Sequence, residues 1–228
     1  MAKVQDRVIR TRGRILRAAA EVFAARGFAA TTVDAIIQLA AEDGEGMSTG
    51  RLYQQFPSKE SLVVGIFEAT VTTAGVPKQQ TFALQEFVDT GLVLAYRLRT
   101  EPFLRAALRL SVDPNLGEAY GAVWPSWIQI TISQLSAAAR KNELLPGVEP
   151  AEFARQVAGG WAGLGLVGHA YDKSHDRFER DISTMYGNLL NSLAVPALLP
   201  KIDVAPERGG LLYEKYLQEQ EAQAGADA

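Results

Sequence analysis

The stretch at residues 47–56, followed by Pro57-Ser58-Lys59-Glu60, restricts most sharply the folds open to this chain. It reads as one short helix, yet one too polar to be a core helix. Only Met47, Leu52 and Phe56 are apolar, so a single narrow edge can be buried while the rest faces outward. Ser48 or Thr49 suits the capping position, where a side-chain oxygen takes up a free backbone N–H. Small, hydroxyl and basic residues at the exposed front suit the second helix of a helix-turn-helix, which offers its N-terminal residues to base edges. The competing reading is a capped surface turn, and the neighbouring residues decide.

Residues 8–26 carry Ile15, Ala19, Val22 and Phe23 at helical spacing, with charged side chains on the other side. Gly27 is a natural stop, and Phe28 is expected to turn back toward the core. Thr31 or Thr32 caps a second helix over residues 33–41, with Val33, Ile36, Ile37 and Ala40 on its apolar side and Asp34 complementing the dipole. Residues 42–46 form a glycine-bearing acidic loop. Helix, short helix, turn and short helix is a DNA-binding arrangement. The net charge of −3 argues against a nucleic-acid partner until its distribution is read. Lys3, Arg7, Arg10, Arg12, Arg14 and Arg17 crowd the first eighteen residues, whereas Glu207, Glu214, Glu219, Glu221 and Asp227 gather at the end. A basic arm neutralises phosphates even on an acidic protein.

Arg26-Gly27-Phe28, Thr31-Thr32-Val33-Asp34-Ala35-Ile36 and the run from Gly50 through Tyr53-Gln54-Gln55-Phe56-Pro57-Ser58-Lys59-Glu60 to Leu62 resemble the N-terminal domain of TetR-type transcriptional repressors. The resemblance covers roughly the first quarter of the chain, the span of one small DNA-binding module. It implies that Tyr53, Gln55 and Lys59 grip phosphates. Gln55 stands where the family commonly has His, and residues 42–46 look like an insertion that should point away from the duplex. Base reading falls to Ser48, Thr49 and Arg51, the last either bidentate to guanine or only touching phosphate. Gly50 lets the backbone come close to DNA; Thr32 and Gln54, with Arg7 and Arg10, complete the expected DNA contacts.

Beyond Ser58, which caps a helix bearing Leu62, Val63, Ile66 and Phe67, the pattern stays helical with no alternating runs. Helices are expected over 82–100, 102–112, 125–142, 149–168 and 174–193, and a short one over 211–220 precedes a disordered end. The reading is all-α: a helix-turn-helix domain (1–57), a linking helix (58–77), a larger ligand-binding and dimerisation domain (78–204) and an acidic tail (205–228). Cysteine is absent, and neither an apolar leader nor a membrane-length run is visible, which suits a cytoplasmic protein.

Trp124-Pro125-Ser126-Trp127-Ile128 and the run from Asn142 through Leu144-Leu145-Pro146-Gly147 to Pro150 are similar to the γ-butyrolactone receptor branch of that family. Members bind small bacterial signalling molecules, and the resemblance places Trp127 in the ligand pocket. From the residues alone, Trp127, Ile130, Thr131 and Gln134 share one helical face, which suits a ligand with a polar head and apolar tail. A buried Trp is nonetheless more often core. Trp161 keeps a core reading, while Phe87, Leu110 and Leu164 fit either wall or core.

An enzyme is the rival class. Only His169 and His175 are present, on different faces, and no cofactor, metal site or catalytic residue is expected. The expected function is a ligand-responsive homodimeric repressor that binds a pseudo-palindromic operator in double-stranded DNA. A γ-butyrolactone- or furan-like signal would release it from genes of specialised metabolism. The alternative is a repressor of an efflux or catabolic operon answering a different hydrophobic small molecule. The 149–168 and 174–193 helices are expected to build the subunit interface, with Met185 and Leu189 near its centre.

Overall fold

The computed structural model describes residues 2–41, 46–72, 80–113, 116, 124–171 and 175–226. Among these residues the ordered elements are helices; the sole strand-like feature is an isolated bridge between Leu144 and Ala194. The helices are α1 (Ala2–Ala30), α2 (Val33–Ala41), α3 (Thr49–Gln55), α4 (Lys59–Thr72), α5 (Ala83–Thr100), α6 (Pro102–Leu110), α7 (Trp124–Arg140), α8 (Pro150–Tyr171), α9 (His175–Leu193) and α10 (Arg208–Ala226), with a 3₁₀ turn at Pro196–Lys201. They fall into two compact units. The first holds α1–α4 and α6; the second holds α5 and α7–α10.

In the first unit α1 carries the core. Ile15, Ala19 and Phe23 are fully buried with Ile36 of α2, Leu52 of α3, Leu62 and Ile66 of α4, and Leu104 and Leu110 of α6. Each such large side chain contributes about 1.5–3 kcal/mol by leaving water. Helical continuity runs to Ala30, but the backbone breaks at Gly27, where φ is 75° and ψ 179°. That left-handed turn, together with an Arg109 Nε that would stand 3.2 Å from a Cβ, makes glycine the fitting residue there. Phe28 folds back as expected and stacks on Phe23, with ring centroids 6.0 Å apart.

Three expectations are corrected. Helix α1 already begins at Ala2, well before residue 8. Residues 102–110, expected within the ligand domain, group with the first unit, because Leu104, Ala106, Ala107 and Leu110 bury against α1 and α4. The terminal helix, expected over 211–220 before a disordered end, runs from Arg208 to Ala226. Its Gln, Glu and Ala residues are good helix formers with no proline to stop them. Residues 42–45, 73–79 and 172–174, which hold most of the expected acidic insertion and two expected loops, lie outside the described residues.

In the second unit α5 is the central element and packs against α7, α9 and α10. Its N-terminal amides are capped from far along the chain: the buried Glu143 carboxylate accepts from Ala83 N at 3.1 Å and Leu84 N at 2.8 Å. Its middle is tied to α10. Arg208 donates through Nε and Nη2 to Asp89 at 2.6 and 2.9 Å, and Asp89 is fully buried. The hydrogen bond to Asp89 raises the Arg208 pKa above its ordinary value, so the guanidinium stays charged. Gln85 bonds Asp89 and both accepts from and donates to the Asp203 backbone. Gly209 and Gly210 let α10 lie directly on α5, since a Cβ at 209 would overlap the Leu92 carbonyl.

Removing the Arg208 guanidinium strands a buried carboxylate. Arg208→Ala should therefore destabilise the second unit by about 3 kcal/mol or more. Gly209→Ala should release α10 to proteolysis without removing any charge. Denaturant titration and limited digestion check both, and a wild-type midpoint in Arg208→Ala would refute the assignment.

Candidate nucleic-acid interface and ligand wall

Helix α3 is built as the sequence suggested. Ser48 has extended backbone and its hydroxyl accepts from Arg51 N at 3.3 Å, closing the helix start. Leu52 and Phe56 are buried on one side. Thr49, Gly50, Tyr53 and Gln54 are exposed on the other, at the spacing that brings neighbours together on a helix surface. A Cβ at Gly50 would meet nothing within 4 Å, so the protein's own packing does not demand glycine there. Tyr53 is 44% exposed and its hydroxyl has no hydrogen-bond partner among the described residues. Gln55 is half-buried, and Arg51 Nη1 donates to Gly46 O at 3.3 Å.

On α1, Arg7 and Arg10 are exposed, as an arm for phosphates needs. Thr32, exposed, caps α2 by accepting from Ala35 N at 3.2 Å, while Thr31 instead donates to Gly27 O. Ser58 and Ser61 cap α4 reciprocally, each hydroxyl accepting from the other's backbone N–H. Hydrogen bonds from its own backbone and from Ser58 hold the Glu60 carboxyl below the usual range, keeping the first turn of α4 negative.

Lys59 is placed differently from a pure phosphate clamp. Its ammonium donates to Phe28 O at 2.8 Å and Thr31 O at 3.1 Å and lies 4.1 Å over the Phe28 ring. Two of its three donors hold the end of α1, and one remains for a phosphate. Three arginines outside the expected site do similar work. Arg109 Nη1 donates to Ala24 O and Ala25 O at 2.9 and 2.8 Å. Arg14 Nη2 donates to Ala40 O at the end of α2. Arg12 Nη1 donates to Gln55 O at 2.9 Å and its guanidinium sits 4.2 Å over the Phe56 ring. In the sequence Arg12 and Arg14 are indistinguishable from the rest of the basic arm, because nothing local marks which arginine meets a distant carbonyl.

In the second unit Trp127 is half-buried, its ring edge-on to Trp124 with centroids 5.4 Å apart. Its indole N–H has no hydrogen-bond partner among the described residues. The companions on its face are engaged in part. Thr131 Oγ1 donates to Trp127 O at 3.0 Å, and Gln134 Nε2 donates to Thr90 Oγ1 at 2.8 Å, whose own hydroxyl donates to Glu86 O. Ile130 is 39% exposed. Leu164 is half-buried on α8, whereas Leu110 is buried in the first unit, so it does not belong to the face that Trp127 shares with Ile130, Thr131 and Gln134. Phe87 is core: it is 1% exposed and meets Tyr186 edge-on at 4.9 Å. Trp161 is also core, 4% exposed, with its N–H donating to the Tyr186 hydroxyl at 3.4 Å. Burial pushes that phenol up to about 12, so it is neutral. No group of metal-ligating side chains is found among the described residues, and none of their helices is long and apolar enough to cross a membrane.

A capped short helix with one polar exposed stripe, braced by two further helices on a distinct unit, defines a helix-turn-helix DNA-binding regulator. Residues 15–66 match the family described as bacterial regulatory proteins, tetR family. The chain belongs to the tetR family. It is 28% identical over 235 residues to the A-factor receptor protein of Streptomyces griseus, covering 100% of this chain and 80% of that one. Full-length native TylP, a tetR regulator from Streptomyces fradiae, is similar in structure: TM-score 0.78 and 30% identity over 92% of this chain and 98% of the other. A γ-butyrolactone receptor described as ArpA-like shares the fold at TM-score 0.72 and 22% identity, covering 92% of this chain and 99% of that chain.

Lys59→Ala should lower stability by about 1–3 kcal/mol, because backbone carbonyls lose a charged donor and Phe28 its cation. Tyr53→Phe should leave the melting temperature unchanged, since its hydroxyl has no hydrogen-bond partner among the described residues. Thermal melts of the two variants without DNA make the comparison.

Proposed function

We propose that the chain is a ligand-responsive repressor that binds a pseudo-palindromic operator as a homodimer and is released by a small signalling molecule. The observation that carries the reading is the exposed stripe of Thr49, Gly50, Tyr53 and Gln54 on a helix whose opposite edge is fully buried. A glycine that no intramolecular neighbour requires fits close approach by a partner. Thr49, with Ser48 and Arg51, reads bases, while Tyr53, Gln55, Arg7, Arg10 and the remaining donor of Lys59 hold phosphates. Family membership and the full-length similarity to a protein named for receiving A-factor support both halves of the reading.

The ligand is of the γ-butyrolactone or furan kind, and the controlled genes belong to specialised metabolism such as antibiotic biosynthesis. The Trp127 face supports a ligand with both polarities. It offers two donors, the indole N–H and the second N–H of Gln134 Nε2, and two acceptors, Thr131 Oγ1 and Gln134 Oε1, since the hydroxyl proton and one amide N–H are already engaged. A carbonyl or ring oxygen on the ligand meets Trp127, and a hydroxyl meets Gln134. Coupling to DNA runs through chain connectivity: α5 of the second unit passes through Glu101 into α6 of the first. Ligand and operator then prefer different arrangements of the same two units.

Operator binding titrated with inducing culture extract tests the whole. Trp127→Phe should bind DNA as wild type does but respond more weakly, losing about 1 kcal/mol of ligand affinity for one hydrogen bond. Trp127→Ala should respond far less. A lowered melting temperature with unchanged release would make Trp127 a core residue instead.

The dimer interface lies on α8 more than on α9. Leu166 and Val167 are 54% and 55% exposed, and a Cβ at Gly159 or Gly163 would meet nothing. Among the described side chains the exposed residues along α9 are Arg177, Arg180, Thr184, Asn188, Asn191 and Ser192, all polar. Met185 instead lies against Gly160 of its own chain, where a Cβ would stand 2.5 Å from its sulfur. Leu166→Arg with Val167→Glu should sediment as a monomer that binds DNA poorly, whereas a persisting dimer would place the interface elsewhere.

A further inference from the structure

We propose that Arg12 is a positioning residue for operator recognition: it fixes the last turn of α3 against α1 and neutralises no phosphate. The inference rests on the DNA-binding reading above and adds a role that the charge pattern alone would assign wrongly.

Helix α3 has seven residues, far fewer than the roughly 12–15 at which an isolated helix becomes even marginal. Its orientation must therefore come from tertiary contacts, from Leu52 in the core and from what its two ends touch. The start is closed by Ser48, but the end leaves carbonyls without helical partners. Arg12 Nη1 meets one of them, Gln55 O, at 2.9 Å, and its guanidinium covers the ring of the next residue, Phe56, at 4.2 Å. Phe56 is 1% exposed and its N–H bonds Leu52 O, so the ring is a fixed platform. A cation at a helix C-terminus is favoured by the dipole as well.

Tyr53, Gln54 and Gln55 all lie in the turn that Arg12 holds. Arg14, two residues on, makes the matching contact with α2 at Ala40 O. Helix α1 thus references both helices of the DNA-binding motif to one rigid element. A few tenths of an ångström at Gln55 O are transmitted to the phenol and amides that meet the duplex. Arg7 and Arg12 are both exposed on the same helix, but among the described residues Arg7 makes no such contact and is left for phosphate.

The two roles differ in salt dependence. A direct phosphate contact releases a counterion, so its loss lowers the slope of log affinity against log salt by about one and weakens all sequences alike. A positioning residue changes the fit and leaves the slope intact. The full chain is used to enrich a duplex from a randomised pool. Arg12→Ala and wild type are then compared on that duplex and on a random duplex of equal length over a series of salt concentrations. The expected result is about a tenfold loss on the enriched duplex, little loss on the random one and an unchanged slope.

Equal losses with a slope lower by about one would make Arg12 a phosphate contact and overturn the proposal. Unchanged binding on both duplexes would overturn it too. Should Arg12→Ala melt below the assay temperature, Arg12→Lys takes its place, keeping the charge but losing the planar stack. A reduced preference for the enriched duplex at constant slope supports positioning; wild-type preference refutes it. If wild type enriches no duplex, the DNA-binding reading falls and this inference with it, which the variants' results alone could not produce.

Discussion

The first unit depends on cations seated at the carbonyl ends of its helices. Helix α1 breaks at Gly27, and the chain reverses so that Phe28 can reach Phe23. That reversal leaves the last carbonyls of α1 without helical partners in a crowded place. Arg109 takes Ala24 O and Ala25 O, and Lys59 takes Phe28 O and Thr31 O, from two different helices. Charge-assisted bonds of this sort are roughly twice as strong as neutral ones, and they are directional. They lock α4 and α6 to α1, and Arg12 and Arg14 extend the device to α3 and α2. A basic head is thus not equivalent to a list of phosphate contacts.

The second unit uses the opposite charge for the same purpose. Glu143 caps the N-terminus of α5 from sixty residues away, where free amides and the dipole favour an anion. Asp89, fully buried in the middle of α5, is tolerated because Arg208 and Gln85 satisfy its oxygens. Glycines at 209 and 210 then allow α10 to lie against the α5 backbone and the Tyr96 ring. Tyr96 in turn meets Tyr213 edge-on and donates to Glu214, so the contact continues along α10. Helix α10 is a structural member of this unit, and much of the acidity at the chain's end decorates its outer side.

Periodicity, caps and glycine stops made most of the architecture legible in the sequence. The boundaries of α2 and α3, the Ser58 cap, the break at Gly27 and the buried pair Leu52 and Phe56 all follow from interactions within a few residues, which local composition encodes. The exposed stripe on α3 was legible for the same reason: a helix with one apolar edge has one polar face.

Long-range partnership was not legible, because a side chain's type does not say which distant carbonyl it will meet. Only the tertiary structure decided that Lys59 holds the end of α1, that Arg12 and Arg14 bond carbonyls of α3 and α2, and that Gln134 gives its amide nitrogen to Thr90. It also moved residues 102–110 to the first unit, since an apolar stripe does not name the surface it will cover. Helix α10 reaches past the expected end because its composition favours helix and its start is anchored on α5. Sequence by itself determined where the helices lie and which faces are apolar, because those depend on neighbours three and four residues apart. Which charges are tied into the fold was settled only when the chain folded and brought carbonyls from distant helix ends within their reach.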